Sequence, residues 1–385
     1  MKKLGYFIIV SMLILVGGCE KSDNITAPSN NQQTLSKGTQ NDVVGRYIVV
    51  LNDNVSRVPD VASEMAKQNA AVVGFVYSHS IKGFSAQMTK SAADKLSKDS
   101  RVKYISVDKL ITLSPGGNGG KKNNNGGSPT SEPTQVTPWG ITRVGGPGDG
   151  TGKTAWIIDT GVDLSNKDLN IDLTRSANFV PRGKDSPNDG NGHGTHVAGT
   201  IAALNNTIDV VGVAAGATVV AVRVLDNSGS GYASWVIAGI DYVGANGNSG
   251  DVANMSLGGS YYKPLDDAVA GASSKVKFAI AAGNDGANAG NYSPADVNGT
   301  NVYTVSAFGQ GDVWANWSNY GYPNPVDFSC PGVNIVSLKA GGGTTTMSGT
   351  SMATPHLAGL LLLGNISTNG KVTDSQGVSE PIAHR

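Results

Sequence analysis

Three segments that are far apart along the chain contain the side chains that nucleophilic catalysis by a hydroxyl group needs. Asp159 ends an apolar run, His193 lies between two glycines, and Ser351 follows a Gly-Thr pair. A serine hydroxyl is a poor nucleophile at neutral pH and needs an adjacent base, which histidine supplies. A buried aspartate then fixes the tautomer of that histidine and stabilises its charged form. The residue types therefore predict attack by Ser351, with His193 as the base and Asp159 as its partner.

A donor for the developing negative charge is also predicted. Hydroxyl attack on a carbonyl places charge on the carbonyl oxygen, and positioned donors stabilise it. Asn284 lies in a Gly-containing turn and offers a side-chain amide, while the backbone N–H of Ser351 at a helix start offers a second donor. We therefore expect Asn284 to lie beside Ser351.

Other residues compete for these roles. Asp163 and Asp168 lie close to Asp159 in the sequence, but only Asp159 directly follows the apolar strand. His193 and His196 are three residues apart, as in some metal sites, yet no HExxH motif or acidic third ligand accompanies them. We therefore expect His196 to be a packed helix residue.

The elements that must position these groups alternate between strand and helix. Alternation of this kind is typical of a parallel sheet covered on both faces, a three-layer α/β/α arrangement. Catalytic groups in such sheets gather at the carboxyl ends of the strands. The apolar strand candidates are 154–158, 218–225, 252–255, 276–282 and 302–305, and a helical pattern covers 232–243.

A smaller domain is predicted over residues 46–113. Its pattern is β-α-β-β-α-β, the ferredoxin-like plan of a small α+β domain. Thr89 is a good N-cap for the second helix. The predicted elements are 46–51, 59–71, 72–78, 83–88, 89–98 and 102–107.

The N-terminus has the layout of an export signal. Lys2 and Lys3 precede an apolar run over 4–16, which is too short for a comfortable membrane span, and Cys19 follows two glycines. The sequence predicts a lipoprotein-type signal peptide over 1–18, with lipid attached to Cys19. An ordinary secretory signal with an incidental cysteine is the alternative. Either one predicts an exported protein.

Two polar segments separate these parts. Residues 19–45 are predicted to be a flexible tether. Residues 114–135 contain no hydrophobic residue and are predicted to be a linker. The large domain then covers 136–385. Cys330 has no partner once the signal is removed and is expected to be a buried thiol. The net charge is zero, with 29 basic and 29 acidic residues, which argues against nucleic acid as a partner.

Five motifs in a fixed order resemble the subtilisin family of serine proteases, in particular its proteinase K branch. They are IIDTGVD, DGNGHGTHVAGT, NMSLGG, AAGN and GTSMATPH, and the match runs over about 139–360. The resemblance implies the same roles for Asp159, His193, Ser351 and the oxyanion donor Asn284. It also implies that residues 46–113 are an inhibitory propeptide, and that a monomeric, self-processed zymogen releases an extracellular endopeptidase from a lipid-anchored precursor at the bacterial cell envelope.

The resemblance further implies a cleft that binds protein and peptide substrates, with a broad preference for hydrophobic side chains before the cut. No catalytic cofactor is implied, but a structural Ca²⁺ ion is, bound by Asp327 with the backbone oxygens of Thr300 and Val302. Asp185 and Asp189 form a weaker cation candidate. The residues implied to contact substrate are Gly229, Ser230 and Gly231 along its backbone, and Ser256, Leu257, Gly258, Ala281, Ala282 and Gly283 around the residue before the cut.

The sequence departs from the family in two places, and it argues against two other functions. Only 34 residues follow Ser351, so closing helices are expected to be missing, and the linker is longer than usual. An inactive binding protein on the same fold would carry an altered triad residue, and none is altered. A serine esterase of another fold would carry a GxSxG motif with Asp and His after the serine, and this chain has the opposite order.

Overall fold

The computed structural model describes residues 43–113, 134–183, 185–364 and 366–385. The predicted signal peptide at 1–18, the lipid site at Cys19, nearly all of the tether at 19–45 and nearly all of the linker at 114–135 lie outside these residues. The helices are α1 (Val58–Gln68), α2 (Lys90–Leu96), α3 (Trp139–Arg143), α4 (His193–Ala202), α5 (Ala233–Asn246), α6 (Lys263–Ala272) and α7 (Thr350–Leu363).

The strands vary from two to eight residues in length. They are β1 (Val44–Leu51), β2 (Val72–Tyr77), β3 (Gly83–Thr89), β4 (Val102–Val107), β5 (Leu110–Thr112), β6 (Gly148–Asp149), β7 (Thr154–Asp159), β8 (Asn170–Ile171), β9 (Ala177–Asn178), β10 (Ala214–Ala215), β11 (Thr218–Arg223), β12 (Ser230–Tyr232), β13 (Val252–Met255), β14 (Gly259–Ser260), β15 (Lys277–Ala281), β16 (Tyr292–Ser293), β17 (Val302–Gly309), β18 (Val313–Trp314), β19 (Val326–Pro331), β20 (Ile335–Leu338), β21 (Thr344–Met347), β22 (Ser367–Thr373) and β23 (Ser379–His384).

The N-terminal domain has the predicted ferredoxin-like plan. Its four strands form an antiparallel sheet in the order β2-β3-β1-β4, with α1 and α2 packed on one face. The Thr89 side chain caps α2 by accepting the N–H of Ala92 at 3.1 Å, as predicted. Strand β1 is buried on both sides: Val49 and Leu51 face the domain's own helices, whereas Ile48 and Val50 belong to a core shared with the large domain. The alternation follows from the two-residue period of a strand.

The large domain confirms the predicted three-layer α/β/α fold. Its main sheet runs β22-β23-β19-β17-β15-β13-β7-β11-β8, and the pairs from β19 to β11 are all parallel. Strand β7 shows why both faces must be covered. Trp156 and Ile158 pack into one hydrophobic cluster with α5 and α6, while Ala155 and Ile157 pack into a second cluster with α4 and α7. Burying such side chains stabilises the fold by about 1.5–3 kcal/mol each.

The C-terminal segment forms a β-hairpin where closing helices were expected to be missing. Helix α7 is followed by β22 and β23, and β23 joins the main sheet in parallel with β19 through the pair Ser329 and Ile382. The hairpin covers Phe308 with Val372 and Ile382. The sheet thus gains two strands at this side.

Two carboxylates hold the N-terminal domain against α5 through hydrogen bonds. Asp108 accepts the N–H and the hydroxyl of Ser234 at the start of α5, at 2.9 and 2.7 Å. Asp241, further along α5, accepts the backbone N–H groups of Ser78, His79 and Ser80 at 2.7–3.2 Å.

In the described part of the chain, no helix combines the length and the apolar character that a bilayer span requires.

Candidate active site

The carboxyl edge of the main sheet collects the predicted groups. Strands β7, β13 and β15 are neighbours and parallel, so their carboxyl ends lie side by side. Asp159 is the last residue of β7, Ser256 follows β13, and Asn284 follows β15 by three residues. Helices α4 and α7, which begin at His193 and Thr350, pack against each other on the same side of the sheet. The topology therefore brings distant segments to one edge.

Asp159 and His193 form a direct pair. The Nδ1 atom of His193 lies 2.8 and 2.9 Å from the two carboxylate oxygens of Asp159. The side chain of Asp159 is completely buried and that of His193 is 13% exposed. A carboxylate at Nδ1 places the ring proton there, which leaves Nε2 as the free base. Burial acts to lower the pKa of His193, but the charge of Asp159 and its hydrogen bond outweigh burial, so the pKa is raised above its ordinary value.

Asp189 fixes the start of the helix that carries His193. Its Oδ1 accepts the hydroxyl of Thr160 and the N–H groups of Asn191 and Gly192, at 2.8–2.9 Å. Its Oδ2 accepts the N–H and the hydroxyl of Thr195, at 3.0 and 2.6 Å. Five protein donors thus use a carboxylate that the sequence had offered as a weak cation ligand. The only sequence signal for this role was an acidic residue just before a helix start.

Ser351 lies in the first turn of α7, after Gly349 with its φ of 156°. Its hydroxyl donates to the backbone oxygen of Ser256 at 3.0 Å, and the hydroxyl of Ser256 donates to the backbone oxygen of Ser351 at 2.8 Å. Within the described residues, no hydrogen bond joins Ser351 to His193. A transfer of its proton to His193 would require the Ser351 side chain to turn away from Ser256.

Thr350 orients the amide of Asn284. The Oδ1 atom of Asn284 accepts both the N–H and the hydroxyl of Thr350, each at 2.9 Å. A backbone N–H can only donate, so the atom facing Thr350 must be the amide oxygen. The amide nitrogen is left as a free donor among the described residues. The sequence did not single out Thr350 for this role.

A cavity of about 370 Å³ lies beside Ser351 and Asn284. All six residues predicted to surround the side chain before the cut line it: Ser256, Leu257, Gly258, Ala281, Ala282 and Gly283. Tyr292, Ser293 and Ala295 form a further part of the wall. Asp285 also lines the cavity, and among the described residues no lysine or arginine does.

The last strand of the N-terminal domain lies along the predicted substrate edge. Strand β5 pairs antiparallel with β12, matching Thr112 with Ser230, Ile111 with Gly231 and Leu110 with Tyr232. The N–H of Leu113 then donates to the backbone oxygen of Gly229 at 2.9 Å. Leu110, Ile111 and Thr112 also line the cavity. The tail thus occupies the cleft in the way an added peptide strand would.

The predicted calcium ligand Asp327 lies on β19, next to the strand β17 that begins at Val302. Burial outweighs a hydrogen bond from the Thr304 N–H and raises the pKa of Asp327 to about 6. That shift marks a carboxylate whose charge has no compensating partner, which fits a cation. Thr300 and Val302 line a separate cavity of about 410 Å³ to which Asp327 does not contribute. Across the described ranges, no three Asp, Glu, His or Cys side chains are grouped to hold a metal.

The remaining singled-out residues are structural. His196 is fully buried in α4, its Nε2 lies 3.0 Å from the backbone oxygen of Ile335, and burial lowers its pKa to about 3. Its Nε2 is therefore engaged by the backbone, as expected for a packed helix residue. Cys330 is a buried free thiol, as predicted, and burial raises its pKa well above the ordinary value.

Comparison with protein families gives two matches. Residues 150–373 match the model of the subtilase family, and residues 46–114 match that of the peptidase inhibitor I9 family. The first match contains every residue of the predicted triad.

Individual proteins agree with the family matches. The chain is 41% identical to the alkaline serine exoprotease A of Vibrio alginolyticus over 78% of this chain, although it spans only 54% of that protein's length. It is 37% identical to subtilisin-like protease 7 of Trichophyton violaceum, over 82% of this chain and 80% of that protein. A crystal structure of a cold-adapted subtilisin-like serine proteinase superposes with a TM-score of 0.56 at 37% identity, covering 65% of this chain and 98% of the other.

Proposed function

The chain belongs to the subtilase family of serine proteases, and on that premise we propose that it is a self-processing zymogen in which Asp159, His193 and Ser351 cleave peptide bonds. The observation that carries the proposal is the buried contact between Asp159 and Nδ1 of His193. It leaves the other ring nitrogen free to act as a base. Asn284, oriented by Thr350, supplies the side-chain donor for the oxyanion.

The proposed reaction is acyl transfer through Ser351. His193 takes the hydroxyl proton as Ser351 attacks the substrate carbonyl, and Asp159 stabilises the imidazolium that forms. The amide nitrogen of Asn284 and the backbone N–H of Ser351 then stabilise the oxyanion, and losing one such donor costs about 10²–10³ in kcat. His193 next gives the proton to the leaving amine, and water releases the acyl group by the same route in reverse.

The proposed preference is broad, with hydrophobic side chains favoured before the cut. Small and apolar residues such as Leu257, Ala281 and Ala282 line the cavity beside several polar ones. Among the described residues, no basic residue lines it, and Asp285 is its one acidic lining residue. Peptide nitroanilides that differ only at this position test the preference. A higher kcat/KM for phenylalanine than for arginine supports it, and a strict arginine preference contradicts it.

The N-terminal domain is proposed to inhibit the enzyme until it is degraded. Pairing of β5 with β12 supports this role, because it blocks the edge that substrates would use. Self-cleavage is proposed within residues 114–135, after the strand that occupies the cleft. Sequencing the N-terminus of the mature enzyme locates the cut.

Export and a transient lipid anchor are proposed from the N-terminal signal and Cys19. Because Cys19 lies on the part of the chain that self-cleavage removes, the cut would release a monomeric catalytic domain from the cell envelope. Fractionation of cells that make active enzyme tests release: catalytic domain found only with the membranes would contradict it.

A structural calcium ion near Asp327 completes the proposal. The half-buried carboxylate with its raised pKa supports a cation there. Calcium would stabilise the fold and take no part in bond cleavage. Chelation should lower the melting temperature and speed self-digestion, and Asp327→Asn should remove the response to chelator. An unchanged melting temperature would contradict a calcium site.

The decisive experiment for the activity compares the wild type with Ser351→Ala. The wild type should lose its N-terminal domain, hydrolyse casein and react with a fluorophosphonate probe, and the variant should do none of these. An inactive binding protein on the same fold would show no difference between them.

A further inference from the structure

Two carboxylates meet behind the wall of the substrate cavity. Asp266 lies in the first turn of α6, and Asp296 lies in the loop after β16. Each has one oxygen, Oδ1, that is out of contact with solvent and accepts no hydrogen bond from the described residues. Burial, together with the charge of Asp296, raises the pKa of Asp266. Two ionised carboxylates so placed would repel each other, so one proton between them is the stable arrangement.

Asp266 is connected to the cavity through a single side chain. Its Oδ2 accepts the hydroxyl of Ser293 at 2.8 Å, and the oxygen of that hydroxyl accepts the N–H of Tyr262 at 2.6 Å. Ser293 lines the cavity and pairs with Gly259 between β16 and β14. The carboxylate pair therefore supports one wall of the cavity from behind.

Asp296 is tied to the same wall through the backbone. Its N–H donates to the backbone oxygen of Tyr292 at 2.9 Å, so Asp296 closes the turn that contains Ser293 and Ala295. Tyr292, Ser293 and Ala295 all line the cavity. A displacement of either carboxylate would therefore shift these three lining residues.

Among the described residues, no lysine, arginine or histidine forms an ion pair with Asp266 or Asp296. Lys263, at the start of α6, pairs with Asp267 at 2.6 Å and not with Asp266. Asp267 also accepts the hydroxyl of Tyr104 from the N-terminal domain, a contact that ends when that domain leaves. Burial and the charge of Asp296 outweigh the hydrogen bond from Ser293 and raise the pKa of Asp266 to about 8. Burial also raises the pKa of Asp296.

We propose that Asp266 and Asp296 are positioning residues that hold the Ser293–Ala295 wall through one shared proton, so that binding of apolar side chains weakens when the proton is lost at alkaline pH. The inference rests on the proposed peptidase function and adds a residue pair that shapes its specificity. Below the pH at which the proton leaves, the wall is fixed. Above it, two negative charges share one site and push the wall apart.

The test measures kcat and KM separately on the mature enzyme from about pH 6 to pH 10, because a group that only positions substrate acts on KM. The substrate is a peptide nitroanilide with phenylalanine before the cut. Wild-type KM should rise above about pH 8, by at most about tenfold per pH unit, the limit for one linked proton. In Asp296→Asn an amide N–H replaces the shared proton permanently, so KM should stay flat.

Asp266→Asn is the second variant, because its amide can accept from Ser293 and donate to Asp296; its KM should also stay flat. Asp267→Asn is the matched control in the same helix and should keep the wild-type rise. A wild-type KM that is flat above pH 8, or one that rises equally in both amide variants, overturns the inference while peptidase activity stands. If the wild type neither hydrolyses peptides nor reacts with a fluorophosphonate, the proposed function falls together with it.

Discussion

The Oδ1 atom of Asn284 receives two hydrogen bonds from Thr350, one from its backbone N–H and one from its hydroxyl, each 2.9 Å long. Thr350 directly precedes Ser351, so the first turn of α7 both presents the proposed nucleophile and orients the proposed oxyanion donor. Although Asn284 lies 66 residues earlier in the chain, this contact ties its amide directly to the turn that contains Ser351.

Replacing Asn284 with alanine should lower kcat by about 10²–10³ with little change in KM, because the donor acts on the transition state. Thr350→Val keeps the backbone bond and removes the hydroxyl, so it should lower kcat by a smaller factor. Steady-state kinetics on a peptide nitroanilide measures both. An equal loss in the two variants would mean that Thr350 acts on more than the amide.

Asp189 should be a stability residue as well as a positioning residue. Asp189→Ala leaves five donors at the start of α4 without their acceptor, so we expect a loss of about 2–4 kcal/mol in the free energy of unfolding, along with reduced kcat. Denaturant unfolding measures the loss. Asp185→Ala is the control and should change little. Equal sensitivity of both variants to calcium would instead indicate a shared cation site.

Activity should fall as the pH is lowered through the pKa of His193. The base must be neutral, and the charge of Asp159 favours the protonated ring, so the acidic limb of kcat/KM should lie above the ordinary histidine pKa of about 6.5. In Asp159→Asn that limb should move to lower pH while kcat drops by about 10⁴. A limb that stays in place would show that another group titrates there.

Asp241 should contribute to inhibition by the N-terminal domain and should have no effect on catalysis. Asp241→Ala removes the acceptor for three backbone N–H groups of Ser78, His79 and Ser80. The mature variant should bind the added N-terminal domain about 30-fold or more weakly, corresponding to a loss of about 2 kcal/mol or more. Hydrolysis of a small peptide substrate should match the wild type. Unchanged inhibition would place the binding energy elsewhere.

The sequence predicted the elements whose signals are local. The apolar run before Asp159 and the capping residue Thr89 are contiguous patterns, and both elements form where predicted. The C-terminal hairpin was missed because β23 joins the sheet through β19, about 50 residues earlier in the chain. No pattern within the hairpin itself indicates that β23 pairs with β19.

The supporting residues of the site were missed for the same reason. Asp189, Thr350 and the pair of Asp266 and Asp296 have ordinary sequence surroundings. Their roles depend on donors or charges brought close by tertiary structure, over as many as 66 residues between Asn284 and Thr350. The predicted calcium site stays a prediction: Asp327 lies on β19, beside the strand β17 that begins at Val302.

The loop held by Asp241 is recognised mainly through its main chain, since three of its successive amide groups are bound and only Ser80 adds a side-chain hydroxyl. A main-chain contact of this kind depends on the backbone conformation of the turn and little on its side chains. Mutations can therefore accumulate in this loop without freeing the enzyme early. The timing of activation is thus protected against sequence drift at the point where the two halves of the precursor meet.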